Sequence, residues 1–292
     1  MVNTPNATKP GAFATLGPRV VSSLIGFSIV VACVWFGWRT MLPMLMFVMV
    51  LGLREYRSML RNRGLEVGGR LSAYGYGVGL LLSSVPGLPE PLPGVSWREA
   101  VMVAYGLHLL VSEVARPGER PLERIVYGIF GMFYVPFLLS FAMSLRYLPN
   151  PREGFWYLII TVVGAYASDV GAYAIGGAFG KRKLAPEISP AKTVEGAIGG
   201  LALSFVMVFA MSEIVKRSFP PGVNVYDALV FSLLVSSAAQ LGDLAESVIK
   251  RSLGAKDSGS FLPGHGGMLD RMDSVLFVLP VAFYFLRLAV FS

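Results

Sequence analysis

The fold is decided by the stretch at residues 227–291, which reads DALVFSLLVSSAAQLGDLAESVIKRSLGAKDSGSFLPGHGGMLDRMDSVLFVLPVAFYFLRLAVF. Two apolar runs, at about residues 227–249 and 274–291, flank a segment rich in glycines, basic residues and carboxylates. A bilayer core about 30 Å thick needs roughly 20 apolar residues in one helix. The stretch therefore predicts two transmembrane helices joined by a polar loop.

The rest of the chain continues the same pattern. Of its 292 residues, 54% are hydrophobic and 15% charged, and the mean hydropathy of +0.61 is that of a membrane protein. Seven further apolar runs lie at about residues 20–37, 41–53, 71–86, 99–115, 125–145, 155–177 and 197–215. We therefore predict an all-α integral membrane protein with about nine transmembrane helices.

The basic residues predict the orientation of these helices. If the chain crosses the membrane alternately with its N-terminus inside, 18 of its 25 lysines and arginines fall in the inner segments. Because such residues concentrate in cytoplasmic loops, the N-terminus is expected in the cytoplasm and the C-terminus in the periplasm. Residues 1–17 are expected to be a cytoplasmic tail, since they lack the pattern of a signal peptide.

The net charge of +7 raises the question of a nucleic-acid partner. In a membrane protein, basic residues mainly set orientation and attract anionic lipid head groups, so no nucleic-acid partner is expected. Cys33 is the only cysteine, which excludes an internal disulfide and makes cysteine chemistry unlikely on sequence grounds.

The polar loop between the last two helices carries groups that suit metal and phosphate binding. Asp270 and Asp273 lie three residues apart, so they share one helix face and can converge on a hard cation such as Mg²⁺. Upstream, Asp243, Glu246, Ser247 and Lys250 form a polar stripe at helical spacing, and Asp243 lies about 10 Å below the inner surface. An acid at that depth must be paired, metal-bound or in a wet cavity.

Glycines in this loop predict an anion site. Gly264, Gly266 and Gly267 surround His265 and leave backbone N–H groups free to approach a phosphate closely. The alternative is a flexible hairpin whose acids pair with Lys250, Arg251 or Arg271. His265 taken alone fits an ordinary loop histidine equally well.

A second inner loop, at residues 180–196, offers further phosphate-binding groups. Its basic residues are Lys181, Arg182, Lys183 and Lys192, and its hydroxyl groups belong to Ser189 and Thr193. Asp169 precedes it at a depth of about 12 Å, similar to that of Asp243. This similarity predicts one cytoplasm-facing polar cavity, whereas the alternatives are a buried ion pair and a loop that merely sets topology.

Residues 247–273 resemble the signature of the bacterial phosphatidate cytidylyltransferases, or CDP-diacylglycerol synthases. The matching positions are Ser247, Lys250-Arg251, Lys256-Asp257, Gly259, Pro263, His265-Gly266-Gly267, Asp270-Arg271 and Asp273. The resemblance is strong over about residues 165–275, although Gly177 stands where the family often has a basic residue.

The resemblance implies transfer of CMP from CTP to phosphatidate, giving CDP-diacylglycerol and pyrophosphate. It implies a homodimeric, multi-pass protein of the cell inner membrane, with an active site open to the cytoplasm and to lipid. Residues 1–160 would then supply transmembrane helices for lipid access and dimer contacts, and residues 161–292 the catalytic region with its two cytoplasmic loops.

The site residues expected from this resemblance fall into three groups. Mg²⁺ would be held by Asp243, Asp270 and Asp273, with a second cation left open. The other expected catalytic residues are Lys250, Arg251, Lys256, Asp257, His265 and Arg271. The groups expected to bind CTP and phosphate are Asp169, Lys181, Lys183, Ser189, Lys192, Ser247, Gly264, Gly266 and Gly267.

Three other functions would also use parts of this sequence pattern. An ion-coupled transporter also has acids at membrane depth, but its polar groups would occupy two related positions in inverted repeats. A CTP-dependent polyprenol kinase would transfer the γ-phosphate rather than CMP. A structural scaffold would not need the DRMD and GHGG elements together.

Overall fold

The computed structural model describes residues 16–215, 225–259 and 266–290. Within these ranges the chain forms nine helices and one short hairpin. Their bounds are α1 Leu16–Trp35, α2 Trp38–Asn62, α3 Arg70–Leu82, α4 Trp97–Ala115, α5 Pro121–Arg146, α6 Pro151–Phe179, β1 Lys183–Ala185, β2 Ser189–Thr193, α7 Val194–Ile214, α8 Val225–Ser252 and α9 Leu269–Val290. The predicted tail at residues 1–17 lies outside the described residues except for its last two, which begin α1, and the site residues Gly264 and His265 also lie outside them.

Each of the nine apolar runs corresponds to one of these helices. Among the described residues, α5, α6, α7, α8 and α9 are long and apolar enough to cross a membrane. The 13 residues of α3 give a helix of only about 20 Å, which is short for a bilayer core about 30 Å thick. The structure thus supports a helical protein with several membrane spans, and five of them meet the criteria of length and composition.

The segments between helices gather at two opposite ends of the helical bundle. At one end, the Tyr56 hydroxyl donates to the Tyr127 carbonyl oxygen at 3.0 Å, and the N-terminus of α9 contacts the C-terminal half of α2. At the other end, Arg146 Nε donates to the Val34 carbonyl oxygen at 2.8 Å. Alternate threading assigns these two groups of segments to opposite sides of the membrane, which stays a prediction.

The hairpin β1–β2 is a departure from the purely helical prediction, which treated residues 180–196 as a loop. The strands are antiparallel, with Lys183 opposite Thr193 and Ala185 opposite Ser189. The Glu195 carboxylate accepts the backbone N–H groups of Lys181 and Arg182, at 3.0 and 3.1 Å. These bonds tie the hairpin base to the start of α7, which explains why so short a strand pair is ordered.

The helices of the second half pack through small residues. An added Cβ at Gly171 in α6 would lie 2.5 Å from the Gly199 carbonyl oxygen in α7, so the two backbones touch. The boundary predicted at residues 160 and 161 lies inside α6. The polar site described below therefore lies among α6, α7, α8 and α9, with α2 and α5 packed beside them.

Candidate functional site

Three aspartates from three helices lie close enough to interact electrostatically. Asp169 on α6, Asp243 on α8 and Asp273 on α9 act on one another through their charges. The Ser274 hydroxyl donates to the Asp169 carboxylate at 3.3 Å. An added Cβ at Gly242 would lie 2.5 Å from the Asp273 carbonyl oxygen, so α8 and α9 are in backbone contact at this level. This group is called the aspartate cluster below.

A lysine of the hairpin joins the aspartate cluster. Lys192 at the end of β2 places Nζ 2.7 Å from Asp243 Oδ2. The side chains of Lys192 and Asp243 are 23% and 35% exposed, so the pair lies at the edge of the bundle rather than in its interior. The second inner loop and the eighth helix therefore meet here, as the prediction of one shared polar cavity requires.

Lys250 forms the next polar centre. Its Nζ lies 2.6 Å from Glu246 Oε2 and 2.6 Å from Asp270 Oδ1, which links α8 to α9. The Glu246 side chain is fully buried, and a buried carboxylate is stable only when a cation or hydrogen bonds offset its loss of water. Asp270 therefore pairs with Lys250, which is one of the pairings expected if the loop were only a hairpin.

Asp270 also organises the loop that precedes α9. Its Oδ2 accepts the Gly267 N–H at 2.8 Å and the Ser258 hydroxyl at 2.9 Å, and the Ser258 N–H at 3.1 Å. A carboxylate is well placed at a helix N-terminus because backbone N–H groups point out of the first turn. Asp270 therefore holds both described ends of the glycine-rich loop together.

Glu55 on α2 is a functional candidate that sequence reasoning missed. Its carboxylate accepts the N–H groups of Met268 and Leu269, each at 2.8 Å, and the Ser258 hydroxyl at 3.1 Å. Glu55 is only 8% exposed. An acid directly after the apolar run at residues 41–53 was the available signal, since an acid beside a membrane-spanning segment needs partners.

A half-buried amide and two buried serines join the helices that carry Asp169 and Asp243. The hydroxyl oxygens of Ser168 and Ser236 lie 2.6 Å apart. Gln240 Nε2 donates to Ser236 Oγ at 3.2 Å and to the Ala197 carbonyl oxygen at 3.1 Å. The network joins α6, α7 and α8 directly beside Asp169 and thereby orients its helix. Gln240 is not among the residues predicted from the sequence.

The remaining predicted residues differ in their exposure to solvent. Lys181, Lys183, Arg251, Lys256 and Asp257 are exposed, while Ser189, Ser247 and Arg271 are half-buried. Gly266 has φ +77°, a conformation that favours glycine, and Gly267 is buried against Glu55 and Ser258. The described part of the chain thus brings together Asp169, Lys192, Asp243 and Asp273, and beside Asp273 it places the group of Lys250, Asp270 and Gly267.

The predicted magnesium ligands are not gathered into one ready site. Within residues 16–215, 225–259 and 266–290, no three His, Cys, Asp or Glu side chains form a group that could hold a metal ion. Asp243 and Asp273 belong to the aspartate cluster, whereas the Asp270 carboxylate is engaged by Lys250, Ser258 and Gly267. The donors are all carboxylate oxygens, which is the chemistry that Mg²⁺ prefers.

Comparison with known proteins gives a consistent result over most of the chain. The family profile that matches is that of the Cytidylyltransferase family, over residues 17–289. The phosphatidate cytidylyltransferase of Bacillus subtilis (strain 168) is 38% identical over 199 residues, which cover 68% of this chain and 71% of that relative. Its namesake in Staphylococcus aureus (strain COL) is 35% identical over 232 residues, covering 80% of this chain and 84% of the relative. That of Haemophilus influenzae is 37% identical over 170 residues, covering 57% and 58%.

Proposed function

The chain belongs to the cytidylyltransferase family, and on that premise we propose how its aspartate cluster and its two basic loops carry out the reaction. The chain is a phospholipid-synthesising nucleotidyltransferase that converts CTP and phosphatidate into CDP-diacylglycerol. An oxygen of the phosphatidate phosphate forms a bond to the α-phosphorus of CTP. The bond from that phosphorus to pyrophosphate breaks, and the lipid keeps the CMP group.

The main task of the protein is to bring two polyanions together. The nucleophile is an ionised phosphate, so positioning and neutralisation of charge contribute more than a general base or a covalent intermediate. We assign phosphate contacts to the residues around the site that carry a positive charge, a hydroxyl group or backbone N–H groups. They are Lys181, Lys183, Ser189, Lys192, Ser247, Lys250, Arg251, Lys256, Arg271 and the backbone of residues 264–267. His265 and Asp257 remain weaker candidates, for contact with the nucleotide and with the metal respectively.

Lys192 and Lys250 have a particular role in this proposal. Each is paired with a carboxylate, at 2.7 and 2.6 Å. A triphosphate carries more negative charge than one carboxylate, so these ammonium groups are expected to shift toward it on binding. Their departure would release the carboxylates of Asp243 and Asp270.

The proposed ligands of Mg²⁺ are Asp243, Asp270 and Asp273. A divalent cation suits the aspartate cluster because it would offset the repulsion among three neighbouring carboxylates. Asp270 can join this set if its carboxylate gives up its contact with Lys250 or with Ser258 and binds the ion instead. When bound, the metal would neutralise phosphate charge and stabilise the leaving pyrophosphate. Asp169 adds negative charge beside the set and leaves room for a second cation.

The proposal also covers the surroundings of the site. Nine helical crossings, an N-terminus in the cytoplasm and a site that faces the cytoplasm would let CTP enter from solution and phosphatidate from the bilayer. Residues 1–160 would provide lipid access and the contacts of a homodimer, and residues 161–292 the catalytic groups. The hydrogen bonds of Glu55 support one change, namely that the first region also anchors the catalytic loop.

The site assignment rests on one observation. Asp169, Asp243 and Asp273 interact with one another, and Lys192 forms an ion pair with Asp243. The assignment is tested with phosphatidate, Mg²⁺ and CTP labelled separately in the cytidine and in the γ-phosphate, followed by lipid extraction. Cytidine should enter the lipid from wild-type protein. Asp273→Asn removes one ligand charge and is expected to lower turnover at least about 100-fold, in line with the loss of a group that stabilises the transition state.

The matched control is Asp227→Asn, which removes a carboxylate at the opposite end of α8 and should leave turnover near that of wild type. Near-normal activity of folded Asp273→Asn would contradict its role as a metal ligand. Transfer of the γ-phosphate would instead indicate a lipid kinase. A chelator of divalent cations should abolish turnover, and added Mg²⁺ should restore it.

A further inference from the structure

A cavity lined largely by arginine lies outside the catalytic site. It has a volume of about 480 Å³ and is formed by the C-terminal half of α2 and the start of α3. Its lining residues are Arg54, Arg57, Ser58, Arg61, Arg70 and Tyr74. A smaller neighbouring cavity of about 160 Å³ shares Arg57, Arg61 and Arg70, and has Glu66 on its wall. We call the larger one the arginine cavity.

The helix period and one tight connection bring these arginines together. Arg54, Arg57 and Arg61 are three and four residues apart, so they share one face of α2. Arg70 is the first residue of α3, which folds back beside that face. Arg57 Nη2 donates to the carbonyl oxygens of Val67 and Gly68, at 2.7 and 3.0 Å, and so fastens the connection. The cationic lining is therefore built by the fold and does not depend on an added ligand.

The charges of this lining are not balanced by neighbouring acids. Among the described residues, no carboxylate lies within ion-pair distance of the four arginines, and this includes the carboxylate of Glu66. Arginines of the α4–α5 region differ in this respect. Arg124 Nε lies 3.0 Å from Glu113 Oε1, and Arg120 lies 3.6 Å from Glu123. Basic residues that only set the orientation of a membrane protein need not share a cavity. Four arginines around one cavity without a neighbouring acid therefore indicate an anionic ligand.

Phosphate is the anion that this lining fits. The planar guanidinium group matches phosphate oxygens in a bidentate way, and Tyr74 adds a hydroxyl donor. A free phosphate ion would fill only a small part of about 480 Å³, whereas a phosphate with its glycerol and head group has the size of ligands found in such pockets. Leu71 follows Arg70 directly and is 85% exposed, which offers apolar surface for an acyl chain. Basic pockets between membrane helices bind anionic head groups for these reasons.

We propose that the arginine cavity binds the phosphate-bearing head group of an anionic membrane lipid, at a site separate from the catalytic one. Glu55 marks the separation, because it lies between Arg54 and Arg57 in sequence but directs its carboxylate to the loop before α9. None of the residues lining the cavity belongs to the aspartate cluster or its basic loops. The proposal therefore stands independently of the assignment of catalytic residues.

The test compares two double variants in detergent. Arg61→Gln/Arg70→Gln removes two exposed charges of the cavity, and Arg116→Gln/Arg120→Gln removes two exposed charges from the α4–α5 connection. The probe is fluorescent phosphatidylglycerol, which carries a phosphate but is not a substrate. Fluorescent phosphatidylcholine controls for binding that does not depend on net charge. Turnover of CTP with saturating phosphatidate checks that each variant is folded, and it should stay near that of wild type.

The cavity variant should bind phosphatidylglycerol about 25-fold more weakly than wild type, since each of its two arginines contributes roughly a fivefold factor near an anionic lipid. The control variant should bind it as wild type does, and phosphatidylcholine should not distinguish the three proteins. Equal weakening in both variants, or none in the cavity variant, would overturn the proposal. Inorganic phosphate that competes as well as short-chain phosphatidylglycerol would also overturn it, in favour of a free anion site. If the double variant does not fold, Arg54→Gln and Arg61→Gln are measured singly by the same criteria.

Discussion

Glu55 shows how one side chain can hold an active-site loop from far away in the sequence. It accepts three hydrogen bonds from residues more than 200 positions later in the chain. Added Cβ atoms at Gly259 and Gly267 would lie 2.8 and 2.5 Å from its carboxylate oxygens, so both glycines are needed for this close approach. Hydrogen bonds to a buried charge are among the stronger ones in proteins, at about 1.5–3 kcal/mol each. Glu55 is therefore a positioning residue for the loop between α8 and α9.

The corresponding prediction concerns Glu55→Gln, which keeps the size of the side chain but removes its charge. We expect kcat to fall by about 10- to 100-fold, because weaker acceptance of the Met268 and Leu269 N–H groups leaves Asp270 and Asp273 less well placed. KM for CTP should rise much less. Steady-state kinetics of the purified protein measure both values.

Glu66→Gln is the matched control for this variant. Glu66 is exposed in the α2–α3 connection, and among the described residues it forms no hydrogen bond or ion pair with the loop before α9. Its replacement should change neither constant by more than about twofold, as for most surface positions. A fall in kcat equal to that of Glu55→Gln would show that loss of any acid near this end of the bundle suffices. A proportional rise in KM alone would indicate a role in binding CTP instead.

At the scale of elements, the closest contact near the site is the seam between α6 and α7. Gly171 packs on Gly199, and an added Cβ at Gly199 would lie 2.4 Å from the Ile175 Cβ. Small residues let two membrane helices approach closely, and packing of this kind drives helix association where water is absent. The seam brings β2, which follows from α6 and leads into α7, against Asp243 of α8. Its packing therefore contributes to the position of Lys192.

The seam is tested by two identical substitutions in α6. Gly171→Ala would place its Cβ 2.5 Å from a backbone oxygen that cannot move alone, so we expect a destabilisation of about 1–3 kcal/mol. Gly177→Ala has no heavy atom within 4 Å of the added Cβ and is exposed, so it should be neutral or slightly stabilising. Thermal unfolding in detergent measures both variants. Equal unfolding temperatures would mean that α6 and α7 accommodate the added methyl group without loss of stability.

At the scale of the whole molecule, two sets of connections lie at opposite ends of the bundle. The end that includes Glu55, Lys192 and Lys250 contains the candidate site. The other end holds Arg146, which donates to the Val34 carbonyl oxygen, and Arg98, which donates to Ser84 Oγ at 3.0 Å. Alternate threading of nine helices places these ends in the cytoplasm and the periplasm. Because α4 is not among the five clearest spans, its crossing is the most informative one to test.

The test introduces single cysteines on either side of α4 in a Cys33→Ala background. Glu119→Cys and Leu88→Cys replace exposed residues in the connections after and before this helix. A membrane-impermeant maleimide should label Glu119→Cys only in inverted vesicles, and Leu88→Cys only in intact spheroplasts. The opposite pattern would reverse the proposed orientation. Labelling of both positions from the same side would mean that α4 does not cross.

Local features of the sequence were enough to predict the helices and the family. Each of the nine apolar runs corresponds to a helix, because hydropathy over some 20 residues decides whether a segment enters a membrane. The motif around Asp270 and Asp273 likewise identified the family, since the spacing of its residues is a property of one continuous segment. The hairpin was missed because strand pairing in so short a segment depends on Glu195 and Thr193 at the start of α7.

The sequence by itself therefore determined that this is a helical membrane enzyme of the cytidylyltransferase family, with its acids and basic loops in the second half of the chain. Only the tertiary structure decided which of these groups meet. It paired Lys192 with Asp243 and Lys250 with Asp270, brought Glu55 to the loop before α9, and assembled four arginines around one cavity. The physical reason is that helical period and hydropathy act over a few turns, whereas contacts between helices depend on the packing of surfaces that are distant in sequence.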